Sequence, residues 1–173
     1  LGISYSILHL NEGHPAFALF EKIRERVEGG MSFEEAAEYV RNTSIFTTHT
    51  PVPSGHDVFP FHLMNKYFGN YCKLLGLNRE TFLQLGVNPK EPSAGFNMTT
   101  FSLRMSKFHN SVSKKHNEVT RAMWSVLWPD KKKEEVPIDY ITNGIHIPTW
   151  IEPKMQLLFN KYLGADWLEQ HDN

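Results

Sequence analysis

The chain has 173 residues, 40% of them hydrophobic, which is enough to bury the core of one globular domain. Its 18 basic and 19 acidic residues leave a net charge of −1, which excludes a general electrostatic attraction to nucleic acid or to an anionic membrane. No apolar run approaches the roughly 18 residues of a membrane span, and we expect no targeting leader. Cys72 is the only cysteine, so an internal disulfide is excluded and we expect a reducing, cytoplasmic location.

The first third of the chain predicts two strands separated by two helices. The segment ISYSILHL, which ends at Leu10, is rich in β-branched and aromatic residues and predicts a strand. Ser32 and Glu35 form a capping box for a helix through about Arg41, and SIFTT then predicts a second strand ending at His49. Between the first strand and the capping box, apolar residues recur at helical spacing until two glycines end the pattern: Phe17, Phe20, Ile23, Val27, Gly29 and Gly30.

The middle of the chain, from about Pro60 to Pro129, predicts helices and little strand. The last of these helices is predicted to turn its apolar residues inward, namely Val119, Met123, Val126 and Leu127. The segment VPIDYITNGI predicts a third strand ending at Thr142, and a final helix is predicted from Pro153 to Gly164. The four helices of the middle region are predicted at about 60–75, 79–86, 97–107 and 112–128.

The three predicted strands, which end at Leu10, His49 and Thr142, are separated by helical sequence long enough for crossovers. We therefore predict an α/β fold in which these strands form one parallel sheet. The helical region of about residues 60–129 has no flexible linker at its edges, so we expect it to pack on or beside the sheet.

Each predicted strand ends in polar residues that a core does not need. They are the segments 11–14 (NEGH), 48–50 (THT) and 142–146 (TNGIH). Ligands of open α/β sheets bind outside the carboxyl ends of the strands, so these segments predict a binding edge. The alternative is that Thr48, His49 and Thr50 only cap a turn.

The polar residues at this edge suit a sugar better than a metal or a phosphate. His49, His56 and Asp57 could supply three metal ligands, but the prolines and glycine between them provide no spacing that aims them together. Phosphate loops of the GxxxxGK[ST] or GxGxxG type and a GxSxG nucleophile elbow are absent. A neutral sugar needs groups that donate and accept hydrogen bonds, as His, Asn, Thr and Glu do.

Five ordered motifs resemble those of the α-glucan (glycogen or maltodextrin) phosphorylases, and of the short bacterial and archaeal type in particular. They are LHLNEGHPAF, FTTHTPVPSGHDVF, FNMTTFSLRMS, NSVSKKHNEVTRAMW and YITNGIHIPTW, and together they cover about residues 5–152. Any one of them alone is a weak signal, but the ordered set is highly specific.

The resemblance implies a partial Rossmann-like domain of a two-domain glycosyltransferase of the GT-B type. Members of the family transfer the terminal glucose of an α-1,4-glucan or maltooligosaccharide to phosphate, giving glucose 1-phosphate, and use the phosphate of pyridoxal phosphate as a proton partner. The cofactor lysine belongs to the family's second domain. The resemblance therefore implies that residues 1–173 are a fragment from the later part of the N-terminal domain, inactive alone and without a cofactor site.

The resemblance also implies roles for residues at the first two strand ends. His49 matches the histidine that contacts the transferred glucose, and Thr50 lies beside it. Asn11, Glu12 and His14 match the motif whose acidic residue and histidine line the sugar subsites. Glu12 stands where the animal enzymes carry aspartate, and Ser111 replaces a usual glycine.

Two further hypotheses remain open at the level of the sequence. One is a stand-alone, non-catalytic carbohydrate-binding or interaction domain that reuses the fold. The other is a metal-dependent phosphohydrolase that uses His49, His56 and Asp57.

Overall fold

A computed structural model describes residues 5–169, so the predicted strand that begins at Ile3 lies partly outside the described residues. The chain divides into two compact units, one through Thr142 and one from Asn143. The elements of the first unit are, in chain order, β1 (Leu8–Asn11), α1 (Phe17–Glu28), α2 (Phe33–Asn42), β2 (Ser44–Thr48), β3 (Val58–Phe59), α3 (Phe61–Phe68), α4 (Tyr71–Leu74), α5 (Arg79–Gln84), β4 (Phe96–Asn97), α6 (Met98–Met105), β5 (Phe108–Ser111), α7 (Lys114–Trp124) and β6 (Asp139–Tyr140). Short 3₁₀ turns occur at Pro53–Gly55, Ser125–Leu127 and Lys133–Glu135.

The first unit is built on a parallel sheet with the strand order β1-β2-β5-β6. The prediction that the strands ending near Leu10, His49 and Thr142 share one parallel sheet is confirmed. Within the sheet, Leu10 pairs with Phe46 and Phe46 pairs with His109. These side chains share the face that joins the core, because residues paired in register on neighbouring strands point to the same side of the sheet.

The first two helices form where the sequence predicts them. Phe20 and Ile23 of α1 are fully buried. The helix ends at a glycine pair in which Gly30 has a φ of 100°, a conformation that favours glycine. Helix α2 begins with the predicted capping box: the Glu35 backbone N–H donates to Ser32 Oγ (3.2 Å), and the Ser32 backbone N–H donates to Glu35 Oε2 (2.9 Å).

Strand β5 corrects the prediction that the middle of the chain contains helices and little strand. Its segment, FHNS, falls between two predicted helices and lies in the sheet between β2 and β6. Four residues with three polar side chains carry no apolar period, so only the tertiary pairing identifies this strand. The buried His109 ring is held by the backbone carbonyls of Leu103, Ser106 and Pro137. The sequence also missed the antiparallel pair of β3 and β4.

The predicted inward face of α7 is wrong in part. Val119 is exposed, whereas the predicted Met123 and Leu127 are partly buried against the core. The buried residues of the helix are His116, Asn117, Thr120 and Trp124. The reason is a hydrogen-bonded contact with β6, because the Asn117 amide donates to the backbone carbonyls of Ile138 (2.7 Å) and Asp139 (2.9 Å). Burial of this hydrogen-bonded face leaves Val119 on the solvent side of the helix.

The core is a cluster of phenylalanine rings centred on Phe20. Its ring lies 4.1 Å from that of Phe101 and 4.7 Å from that of Phe82, with the rings stacked. The cluster is continuous with Leu10 and Phe46 of the sheet. The middle of the chain thus packs onto the sheet through helices α5 and α6.

The second unit contains α8 (Ile147–Trp150) and α9 (Pro153–Leu163). Helix α9 begins at the predicted proline and ends before Gly164, whose φ is 97°. The rings of Phe159 and Trp167 pack edge to face at 5.0 Å. Among residues 5–169, no helix is both long enough and apolar enough to cross a membrane.

Candidate functional site

The carboxyl ends of β1 and β2 lie side by side, which brings two of the predicted polar segments together. Asn11 pairs with Thr47 in the sheet register. One residue further on, the Glu12 backbone N–H still donates to the Thr47 carbonyl at 2.9 Å. The parallel pairing therefore continues up to Glu12, and the Glu12 side chain turns toward the end of β2.

Glu12 joins the two strand ends through its carboxylate. Its Oε1 accepts a hydrogen bond from the backbone N–H of His49, and its Oε2 accepts one from the Thr50 hydroxyl at 2.8 Å. The backbone of Glu12 has a φ of 67°, in the left-handed region that residues other than glycine rarely occupy. Both carboxylate oxygens are thus used within the protein.

A small polar cavity of about 110 Å³ opens beside Glu12. Because one water molecule takes about 30 Å³ in the liquid, this space fits a few hydroxyl-sized groups and not a whole glucan. The residues around it combine carboxylate, imidazole and hydroxyl groups, which can donate and accept hydrogen bonds. They are Glu12, Gly13, His14, Thr50, Gly55, His56, Asp57 and Thr99.

Two glycines allow the backbone to approach closely around the cavity. A Cβ at Gly13 would lie 3.1 Å from both the backbone nitrogen and the hydroxyl oxygen of Thr99. A Cβ at Gly55 would lie 2.4 Å from the Thr50 methyl group. Side chains at these positions would push apart the segments that form the cavity wall.

The His56 side chain is buried and forms part of the cavity wall. Its Nδ1 shares a hydrogen bond of 2.8 Å with Thr99 Oγ1, and its ring packs edge to face on Trp124 at 5.0 Å. Among the described atoms, its Nε2 is buried without a hydrogen-bond partner. His56 is therefore held by the fold and is not free to turn toward a ligand.

The pKa values of Glu12 and His56 are both lowered, but for different reasons. Burial alone would raise the pKa of Glu12, but the hydrogen bonds from the His49 amide and the Thr50 hydroxyl outweigh it and hold the pKa below its ordinary value. Burial lowers the pKa of His56, although the negative charges of Glu12 and Asp57 act in the opposite direction. At neutral pH the site holds a charged carboxylate beside a neutral imidazole.

The structure brings some of the predicted site residues together and leaves others apart. Glu12, His14 and Thr50 line the same cavity. His49 and Asn11 are exposed and are not among the residues that line it. Asn11 shares the opposite sheet face with Thr47, while His49 is tied to the cavity through the bond from its backbone to Glu12.

Sequence reasoning did not assign a site role to Thr99 or Gly13. Both lie inside quoted motifs, FNMTTFSLRMS and LHLNEGHPAF, but nothing in their spacing shows that α6 meets the end of β1. Asn97 caps that helix by accepting a hydrogen bond from the Thr100 backbone N–H at 2.8 Å. An Asn three residues before a threonine was the available signal for the helix start that carries Thr99.

A metal site needs several ligands that converge on one point, which His, Cys, Asp and Glu side chains can supply. Within residues 5–169, no group of three or more His, Cys, Asp and Glu side chains is placed to hold a metal ion, so His49, His56 and Asp57 do not form such a cluster. A Schiff-base lysine works in a desolvated pocket. Every described lysine is exposed except Lys22, which is partly buried and pairs with Glu25 at 2.8 Å on the surface of α1. The described lysines therefore do not fit a pyridoxal phosphate site.

Comparison with known proteins places the chain in a family. The family model for carbohydrate phosphorylases matches residues 3–173. The chain is 42% identical over its whole length to a glycogen phosphorylase of Aquifex aeolicus, covering 25% of that protein. It is 46% identical over 96% of its length to a maltodextrin phosphorylase of Thermococcus litoralis, covering 19% of it, and 39% identical over 95% to a glycogen phosphorylase of Mycobacterium tuberculosis, covering 20% of it.

The chain thus spans between about a fifth and a quarter of the length of these curated relatives. Its parallel sheet with flanking helices agrees with a partial domain of the phosphorylase fold. The resemblance of the five motifs is confirmed: the chain belongs to the carbohydrate phosphorylase family.

Proposed function

We propose that this chain is part of an α-glucan phosphorylase, which transfers a terminal α-1,4-linked glucose to phosphate and gives glucose 1-phosphate. The chain supplies one wall of the cleft that binds the sugar. The observation that carries the proposal is the junction of β1 and β2, where Glu12 ties the end of one strand to the exposed His49 at the end of the next. This junction lies at the carboxyl edge of a parallel sheet, where α/β proteins bind their ligands.

In this proposal His49 contacts the transferred glucose. Its imidazole is exposed at the strand end, whereas its backbone is held by Glu12. A fixed imidazole can donate or accept a hydrogen bond to a sugar hydroxyl without adding a formal charge. It would act by orienting the glucose and by stabilising charge that develops on the ring.

The cavity beside Glu12 supplies a second set of polar groups in the same proposal. His14 and Thr50 line it, and in this proposal they hydrogen-bond to sugar hydroxyls. Asn11 is exposed one residue before Glu12 and would reach a sugar only from the other side of the strand end. We therefore rank His49, His14 and Thr50 above Asn11 as substrate-binding residues.

The rest of the function belongs to the full-length protein. We propose that the chain comes from the later part of a Rossmann-like N-terminal domain, that the full-length protein carries pyridoxal phosphate, and that it is cytoplasmic. The parallel sheet supports the first point, and the single, buried, unpaired Cys72 supports the last. None of the lysines among residues 5–169 fits a cofactor site, and we propose that residues 1–173 are inactive alone.

The test uses the full-length protein, incubated with maltooligosaccharide and phosphate. We expect glucose 1-phosphate to form, and we expect His49→Ala to lower turnover by about 10²–10³, the cost of losing one well-placed polar group in a closed site. The matched control is His62→Ala, which removes another exposed histidine, from α3. It should leave turnover unchanged.

Melting temperature, measured on the same preparations, separates this role from a structural one. A histidine that only caps a turn would lower the melting temperature and leave the rate per folded molecule unchanged. Near-normal turnover in His49→Ala would place the sugar elsewhere.

A further inference from the structure

Both carboxylate oxygens of Glu12 already accept a hydrogen bond within the protein, so a sugar hydroxyl could only be an additional partner. Oε1 accepts from the His49 backbone N–H and Oε2 accepts from the Thr50 hydroxyl at 2.8 Å. A charged carboxylate is the stronger kind of acceptor, and two bonds from consecutive residues fix the geometry of the chain between them. The partners of Glu12 are thus the residues that the proposed function places at the glucose.

The backbone around Glu12 is arranged for this bridge. A φ of 67° is unfavourable for a residue with a Cβ and persists only where the surroundings hold it. Here the Glu12 backbone N–H donates to Thr47 of the neighbouring strand at 2.9 Å, and the next residue, Gly13, lies against Thr99 of α6. The strand end is therefore held on both sides, with its carboxylate aimed at the end of β2.

We infer that Glu12 is a positioning residue, which acts on the reaction by fixing the turn that carries the His49 imidazole. This inference rests on the proposed function. It differs from the role that the family resemblance implies for Glu12, because here the carboxylate holds in place the residue that contacts the glucose. The bond runs to the backbone of His49, so it fixes where the side chain starts without occupying the imidazole. The ring stays available to the substrate.

A double-mutant cycle in the full-length protein tests the inference. The variants are Glu12→Ala, His49→Ala and the two combined, with turnover and KM for maltooligosaccharide measured for each. We expect Glu12→Ala alone to lower turnover by about 2- to 100-fold, the range for directly connected residues. In the His49→Ala background its further effect should be clearly smaller, because no imidazole is left to position and only the loss of the bond to Thr50 can still affect the substrate.

Losses that multiply in the double variant would overturn the inference, since they would show that Glu12 meets the substrate independently of His49. A rise in KM with unchanged turnover would overturn it as well, because that pattern marks a ground-state contact with the glucan. Glu12→Gln is the conservative variant. Its amide oxygen can accept from the His49 backbone N–H and its NH₂ can donate to Thr50, so it should keep most of the wild-type turnover that Glu12→Ala loses.

Hydrogen–deuterium exchange gives a readout that does not depend on activity. In the full-length protein, the His49 amide should exchange faster in Glu12→Ala than in the wild type and slowly again in Glu12→Gln. Unchanged exchange in Glu12→Ala would refute the bridge. If the wild-type protein forms no glucose 1-phosphate, the proposed function fails, and the exchange result still decides whether Glu12 positions His49.

Discussion

Glu12 and His56 show how neighbouring residues acquire opposite electrostatic characters from their surroundings. Glu12 is partly buried, yet donors from two consecutive residues stabilise its charged form. His56 is 93% buried and its Nε2 has no partner among the described atoms, so its neutral form is favoured. The difference lies in the number of hydrogen bonds that each group receives and not in its depth alone.

The lowered pKa of His56 predicts acid sensitivity. In the unfolded chain a histidine takes up a proton near its ordinary pKa of about 6.5, whereas the folded chain resists protonation of His56. The free energy of unfolding is therefore greatest above that pH and falls as the pH decreases below it. Glu12 contributes in the same direction but only below its ordinary pKa of 4.5, so the two effects occupy different pH windows.

The measurement is the free energy of unfolding of residues 1–173 between pH 7.5 and about 5, by urea titration. In His56→Gln the decrease below about pH 6.5 should be smaller than in the wild type, because glutamine keeps a hydrogen bond to Thr99 and does not titrate. Equal slopes in the two proteins would contradict a neutral, buried His56.

At the level of elements, helix α1 contributes fully buried apolar side chains to the core. Phe20 is fully buried and stacks on rings from α5 and α6, so it links the helix to the part of the chain that follows β2. Phe108, by contrast, is 55% exposed in β5. The two residues form a matched pair of the same chemistry and different burial.

Truncating them should separate burial from residue type. Phe20→Ala removes a ring from a packed cluster and should lower the free energy of unfolding by about 3–5 kcal/mol. Phe108→Ala should change it by less than about 1 kcal/mol, because the ring is largely solvated already. Urea titration of residues 1–173 measures both, and similar losses in the two variants would mean that the phenylalanine cluster is not the core.

At the scale of the whole molecule, the sheet of the first unit is covered unequally. The row with Leu10, Phe46 and His109 is buried. The opposite face exposes His9, Asn11, Phe108 and Asp139. Parallel sheets are normally buried on both faces, so a half-covered sheet agrees with a chain that spans about a fifth to a quarter of its relatives.

This arrangement predicts weak sugar binding by the isolated chain. A cleft that binds a glucan buries it between opposing walls, and in the proposed function residues 1–173 supply only part of one wall, with a cavity of about 110 Å³. We expect titration calorimetry with maltooligosaccharides to detect binding no tighter than the millimolar range, about −4 kcal/mol. Micromolar binding would favour the alternative of a stand-alone carbohydrate-binding domain over the proposed part of a phosphorylase.

The local elements with a strong period or a clear cap could be predicted from the sequence alone. The apolar spacing of α1, the capping box of Ser32 and Glu35, and the proline and glycine that bound α9 all act within a few residues. The parallel sheet was predictable too, because helical sequence separates its strands. The five motifs were sufficient to identify the family.

Tertiary structure alone decided the features whose causes lie far apart in the sequence. Strand β5 has no period of its own and is defined by pairing with β2 and β6. The rotation of α7 is set by Asn117, which bonds to backbone carbonyls 21 and 22 residues away. The bridge from Glu12 to His49 spans 37 residues. Hydrogen bonds and packing between distant segments depend on how the whole chain folds, and local residue spacing does not predict them.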